Sequence, residues 1–253
     1  MYQHRSTLRV LEILEKLANS ENGYSLTELT KILEIPKSSL YPIIQTLNSE
    51  GYLSLNEQTL KFTLGARVLA LSAAYLNKNT VLGILKNEMQ ELVDRFSETC
   101  QLAVLKDGEV LYLIRIDSSE RIRLVSNEGT RLPAYCTSLG KALLSKHTFT
   151  ELKDLYPNGL KKITPKTIDS IEDLYNEILE IRKTGIAYEK EEVTEDIQCY
   201  SVPIVKKDEI YMALSVSIPT FRADSKEEKI KNGLLEFKKK IEKIVINFEN
   251  INF

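Results

Sequence analysis

A chain of 253 residues with 43% hydrophobic and 28% charged content has the make-up of an ordinary globular protein, long enough for a sizeable core and two domains, which excludes an intrinsically disordered chain. The formal net charge of −2 gives no overall attraction to nucleic acid or to anionic membrane, so any DNA contact has to be built locally. Three widely spaced cysteines, Cys100, Cys136 and Cys199, form no CxxC pair and read as free thiols; a polar amino terminus and the lack of any apolar run of about 18 residues place the chain in the cytoplasm, without metal, cofactor or membrane partner.

Residues 7–18, TLRVLEILEKLA, put Leu8, Leu11, Leu14 and Leu17 on one helical stripe with Val10 and Ile13 beside it. In SLTELTKILEI, Ser25 stands three residues before Glu28, the spacing of a capping box, so a second helix starts near Leu26. A break at Ile35 and Pro36 leads into PKSSLYPIIQTLNSEGYL, where Leu40, Ile44 and Leu47 recur at helical spacing although Pro42 stands among them. An interior proline costs roughly 3 kcal/mol or more. This helix is therefore expected to begin late, near Ser39, with Pro42 in its first turn, or else to start at Pro36 and kink. GYLSLNEQTLKFTLG reads as two short strands about a turn at 56–59. Helix, helix, turn, helix and hairpin make a winged helix-turn-helix, residues 1–65.

ARVLALSAAYL continues as a linker helix within residues 66–79, and its stretch 66–76 is the expected seam of a dimer. A second domain, residues 80–253, opens with the helix TVLGILKNEMQELVDRFSE, its Val81, Leu85, Met89, Leu92 and Phe96 inward. Strands QLAVLKD and EVLYLIRID meet at Asp107-Gly108, a strong hairpin signal, and IRLVS at 122–126 reads as another strand. Two helices follow, LGKALLSKH and SIEDLYNEILEIRKTG, then strands CYSVPIV and EIYMALSVSIP, then a last helix for which Ser225 and Glu228 form a capping box. The class is α+β: an N-terminal winged helix-turn-helix domain, a linker helix and a C-terminal α/β domain.

Two sets of residues carry candidate chemistry. Lys37, Ser38, Ser39 and Tyr41 head the third helix, where a lysine and short hydroxyls reach phosphates and base edges, or simply cap the helix. Lys37 is the only cation of that helix, and residues 1–67 balance seven Lys or Arg against seven Asp or Glu, so DNA affinity would rest on dimerisation and on Arg5, Arg9, Lys37 and Lys61. In the second set, Thr137 and Ser138 begin TSLGKALL, so the N–H groups of Leu139 and Gly140 would face an anion, with Gly140 leaving room and Lys141 either helping or solvated. YMALSVSI alternates, with Tyr211, Ala213, Ser215 and Ser217 on one face and Met212, Leu214, Val216 and Ile218 on the other; Cys199 and Ser201 likewise oppose Tyr200 and Val202. Hydroxyls and a thiol on the face opposite the apolar one describe a ligand cup, or else a solvated sheet surface. Cys199 and the distant His147 are too weak a pair to indicate catalysis.

GTRLPAYCTSLGKA at 129–142, with Gly129, Pro133, Thr137, Gly140, Lys141 and Ala142 in place, resembles the signature of the IclR family of bacterial transcription regulators. So do GIAYEKEEVTEDIQCYSVPI with ALSVS in the carboxy-terminal half, and VLEILEKLA, SLTELTKILEIPKSSLY and EGYL in the amino-terminal half. The resemblance implies a dimeric or tetrameric repressor or activator, with a winged helix on DNA, a GAF-like effector-binding domain and no catalysis. Because a charge-balanced winged helix binds weakly alone and two-fold proteins read two-fold sites, the double-stranded operator is expected to be a pseudo-palindrome. The helix end at 137–140 and the polar strand face predict a small anionic metabolite, an organic or sugar acid, between that helix end and Cys199, Ser215 and Ser217, with the serine hydroxyls donating to it; Glu189 is expected to accept from a ligand hydroxyl, since a similar carboxylate contributes to the pocket in some relatives. Two positions depart from the family pattern: Pro42 stands where relatives carry a polar or basic residue, and Asp196 where they often carry glycine. The readings left open beside a regulator are a metabolite-binding enzyme with a degenerate amino-terminal module and a winged helix used for protein contacts.

Overall fold

The structure, a computed structural model, describes residues 4–78, 80–122 and 128–248; side chains at 74–78 and at 80 are left aside. The chain divides into two compact units, Met1–Lys78 and Asn79–Phe253.

In the first unit, α1 (Arg5–Ala18), β1 (Tyr24–Ser25), α2 (Leu26–Ile32), α3 (Lys37–Ser49), β2 (Leu53–Asn56) and β3 (Lys61–Leu64) precede α4 (Ala66–Lys78). The three strands form a small antiparallel sheet in the order β1-β3-β2, the wing of the expected winged helix. Its core joins Ile13 and Leu17 of α1, Leu29 of α2, Leu40, Ile44 and Leu47 of α3, and Leu53 and Phe62 of the hairpin. The buried stripe of α1 thus centres on Ile13 and Leu17, while Leu11, expected inside, is 49% exposed. The capping box of α2 forms as expected: Ser25 N donates to Glu28 Oε2 at 2.7 Å, and Glu28 N to Ser25 Oγ at 3.3 Å. Gly51, at φ +75°, ends α3 in the left-handed conformation, and the Tyr52 N–H donates to the Leu47 carbonyl at 2.8 Å.

Pro42 corrects the expectation about α3. The helix begins at Lys37 with Pro36 as its N-cap, so Pro42 is its sixth residue rather than part of its first turn. The Ser38 carbonyl therefore lacks its usual donor four residues on, but both residues are exposed and water can take that place. Burial of Leu40, Ile44 and Leu47 on the opposite face holds the turn in spite of the proline.

The second unit is one antiparallel sheet in the order β6-β5-β4-β9-β8-β7. Its strands are β4 (Thr99–Lys106), β5 (Glu109–Ile116), β6 (Arg131–Pro133), β7 (Ala187–Lys190), β8 (Ile197–Lys206) and β9 (Glu209–Pro219). One face is covered by α5 (Thr80–Phe96) and α10 (Glu227–Val245), which pack Leu85, Met89, Leu92, Leu234 and Phe237 on Leu102, Val202, Leu214 and Val216. The other face carries a 3₁₀ turn (Ala134–Cys136), α6 (Ser138–Leu143), α7 (Phe149–Leu155) and α8 (Ile171–Thr184). The β4–β5 hairpin turns on Asp107 (φ +51°) and Gly108 (φ +80°), the two positive φ values that match strand twist. Short β1, β6, β7 and α7 escaped the sequence reading, although Thr148 and Glu151 form a capping box for α7. The strand expected at 122–126 lies, after Ile122, outside the described residues.

The expected box for the last helix does not form. A short helix α9 (Thr220–Ala223) ends just before it, Ser225 Oγ donates back to the Arg222 carbonyl at 2.9 Å, and Lys226 becomes the N-cap of α10. Arg222 and Lys226 both reach Glu98, a carboxylate with no exposed surface, at 2.7 Å.

Replacing Pro42 by alanine restores the missing donor without touching the core. Pro42→Ala is expected to stabilise the first unit by about 1–3 kcal/mol in urea unfolding; an unchanged midpoint would mean that the unpaired Ser38 carbonyl costs nothing.

Candidate functional site

The exposed face of α3 presents Lys37, Ser38 and Tyr41, the last 50% exposed, with Ser39 half-buried. Gln45, exposed one turn beyond Tyr41, extends this face and was missed by the sequence reading; its spacing of seven from Ser38 was the available signal. A glutamine amide can pair with both polar atoms of an adenine edge. Arg5 and Arg9 stand on α1, whose Ser6, Thr7 and Val10 face Ile43, Thr46 and Leu47 of α3 across a shallow groove. Lys61 leans toward Glu28, 3.9 Å away, so its charge is partly answered inside the unit.

In the second unit a cavity of about 270 Å³ opens on the sheet face opposite α5 and α10. Thr137, Ser138, Leu139, Glu189, Cys199, Ser215 and Ser217 all line it, so the expected alternation of β8 and β9 holds. This face is a buried wall rather than a solvated surface: Cys199, Ser215 and Ser217 are 9%, 1% and 1% exposed.

Four expectations fail in detail. Gly140 does not line the cavity; a Cβ there would stand 2.0 Å from the Ala134 carbonyl oxygen, so the missing side chain admits the 3₁₀ turn, not a ligand. Its N–H is not free either, because it donates to Thr137 Oγ1 at 2.9 Å, and α6 is only six residues long, which leaves little dipole for an anion. Lys141 is neither solvated nor at the cavity: fully buried, it pairs with Glu192 and lies 2.6 Å from Glu177. Finally, the serine hydroxyls do not offer their protons to a ligand. Ser215 and Ser217 donate to Gln101 Oε1 at 3.0 and 2.8 Å, and Cys199 Sγ donates to Ser217 Oγ at 3.2 Å. Each hydroxyl has one proton to give, so the floor of the cavity presents oxygen lone pairs.

Asp196 sits at φ +60°, a conformation that Asp adopts more readily than most side chains. Val193, Thr194 and Ile197 beside it line the cavity.

Burial pushes the Glu189 carboxyl up to about 7, and the Glu192 N–H, which donates to its Oε2 at 3.1 Å, pulls the other way. No Lys, Arg or His belongs to the lining among the described residues. Burial also holds the Cys199 thiol well above its ordinary range, which leaves it protonated and a poor nucleophile. His147 does not line the cavity.

These two units match two family descriptions: the IclR helix-turn-helix domain over residues 6–57, and the bacterial transcriptional regulator IclR C-terminal domain over residues 73–243. The chain belongs to the IclR family. The transcriptional regulator KdgR of Dickeya chrysanthemi is 31% identical over 227 residues, covering 88% of this chain and 74% of that one. The KdgR of Escherichia coli K12 is 31% identical over 219 residues, covering 86% and 83%. An IclR regulator from Alicyclobacillus acidocaldarius superposes with a TM-score of 0.86 over 96% of this chain and 99% of that one at 22% identity, a likeness of fold. The protein is thus a DNA-binding transcriptional regulator with an effector-binding carboxy-terminal half. Its relatives are regulators rather than enzymes, and among the described residues no helix is long and apolar enough to cross a membrane.

Because Glu189 is 4% exposed and titrates near 7, the native protein holds a proton between about pH 4.5 and 7 that the unfolded chain has released. Stability should therefore fall by about 3 kcal/mol as pH rises through that window. Thermal melts from pH 4.5 to 7.5 should show this loss in the parent and a shallower one in Glu189→Gln; parallel curves would contradict the assignment.

Proposed function

We propose that the protein represses transcription by binding a pseudo-palindromic operator as a homodimer or homotetramer, and that a small organic or sugar acid in the second unit's cavity alters that binding. The observation that supports this most is the cavity itself: a polar-floored space in the second unit, on a chain whose other unit presents a recognition-type helix. A solved IclR homologue from Microbacterium hydrocarbonoxydans, at a TM-score of 0.80 over 95% of this chain and 98% of that one and 23% identity, is complexed with 4-hydroxybenzoate, a small organic acid. An acid in the present cavity would meet no cation among the described lining residues, and its negative charge would favour the protonated form of Glu189, so it binds with a proton taken up.

Charge and surface support the reading of two-fold assembly. A winged helix with balanced charge binds DNA weakly alone, and α4 exposes Leu69 at 73% and Leu71 at 56%, an apolar face suited to a second copy. Light scattering at micromolar concentration should give a dimer or larger, and Leu69→Lys with Leu71→Lys should shift it toward monomer; a parent monomer that holds a half-site tightly would contradict this reading.

A mobility shift on the protein's own promoter region, with and without small organic and sugar acids, tests the function directly. Retardation at low salt that an acid relieves is the expected result, and no retardation under any condition would overturn it. Lys37→Ala should weaken binding and lower the slope of log affinity against log salt by about one. An unchanged slope would remove Lys37 from the interface.

A further inference from the structure

Tyr112 is a polar group of the cavity wall that the fold leaves without a side-chain hydrogen bond. It lies on β5, is 5% exposed and lines the cavity, and among the described residues its phenol makes no hydrogen bond. Burial, then the nearby Cys199, Glu189 and Cys136, all push the phenol's ionisation upward, so it keeps its proton and remains a donor.

A break in strand register aims it there. Across β4 and β5, Leu102 pairs with Ile114 but Ala103 pairs with Tyr112, so Leu113 is an extra residue in β5. Beyond this bulge Ile114 and Ile116 face the α5–α10 core, whereas Tyr112 and Val110 face the cavity side. Bulges turn a strand's alternation over and commonly stand beside functional sites. Unbroken alternation would have buried Tyr112 in the apolar core, where its hydroxyl could meet no ligand.

The hydroxyls of β9, on the same face of the same sheet, are of the reverse character. Ser215 and Ser217 spend their protons on Gln101 Oε1, which leaves their oxygens as acceptors. We propose that Tyr112 is the specificity-determining residue of the effector cavity, its phenol donating to a carboxylate or carbonyl oxygen of a hydroxylated carboxylic acid whose hydroxyls are accepted by Ser215 and Ser217. This rests on the cavity being the effector site. A donor on β5 and acceptors on β9 disfavour an acid without hydroxyls, because acceptor positions on the Ser215 and Ser217 oxygens would then stay unfilled in a buried site.

The test uses the full chain and Tyr112→Phe, with D-glycerate, D-gluconate and D-galacturonate as probes and propionate and hexanoate as their counterparts without hydroxyls. Calorimetric titration should show at least one hydroxylated acid binding, its counterpart ten-fold weaker or worse, and Tyr112→Phe weakening the bound acid ten-fold or more. Without any acid the variant should melt at or above the parent temperature, since its phenol has no partner to lose. Equal affinity of variant and parent, equal binding of the acids lacking hydroxyls, or no binding by any hydroxylated probe would each overturn the proposal. A mobility shift on promoter DNA without acid separates the two levels: retardation by parent and variant leaves the regulator reading standing when the effector chemistry fails, and its loss in the parent strikes that reading itself.

Discussion

A sheet covered by helices on both faces, apolar on one and partly polar on the other, must satisfy its buried polar groups from within. That constraint organises the second unit. Toward α5 and α10, the sheet offers Leu102, Val202, Leu214 and Val216 and needs only close packing. Toward α6 it offers Gln101, Cys199, Ser201, Ser215 and Ser217, which would be costly to bury unpaired. They pair among themselves: thiol to Ser217, both serines to the Gln101 amide oxygen, and Ser201 to Ser138 at 2.6 Å.

The roof is fixed by a second buried network. Lys141 on α6, with no exposed surface, joins Glu192 after β7 to Glu177 on α8. Breaking the Lys141–Glu192 pair would strand a charge in the interior, roughly a 3–5 kcal/mol penalty, so the two elements that carry it are held together. The Glu192 N–H also donates to Glu189, which ties that cavity carboxylate to the same frame. How far an effector can shift the protein between states is limited to its differential affinity for them.

Much of this was legible in the sequence because the pattern was local. The Ser25 and Glu28 box, the Asp107-Gly108 turn and the alternation of Ser215 and Ser217 against Leu214 and Val216 are each decided within a few residues. What could not be read was decided by distant partners. The sequence leaves Lys141 free to be solvated; its burial depends on Glu192, 51 positions away. Gly140 reads as room for a ligand until the Ala134 carbonyl is found against it. Tyr112 has the same parity as Ile114 and Ile116, and only the bulge at Leu113 puts it on the other face. Pro42 illustrates the reverse: local propensity argued for a late helix start, and the tertiary burial of Leu40, Ile44 and Leu47 outweighed it.

The account stands on the polar sheet face being where the effector binds. Amide hydrogen exchange of the full chain, with and without whichever small acid raises its melting temperature, maps that binding most directly. The account predicts slowed exchange in β8, β9 and the first turn of α6, around Cys199, Ser215 and Leu139. Slowing confined to α8 and the outer edge of β7, with those strands unchanged, would contradict it.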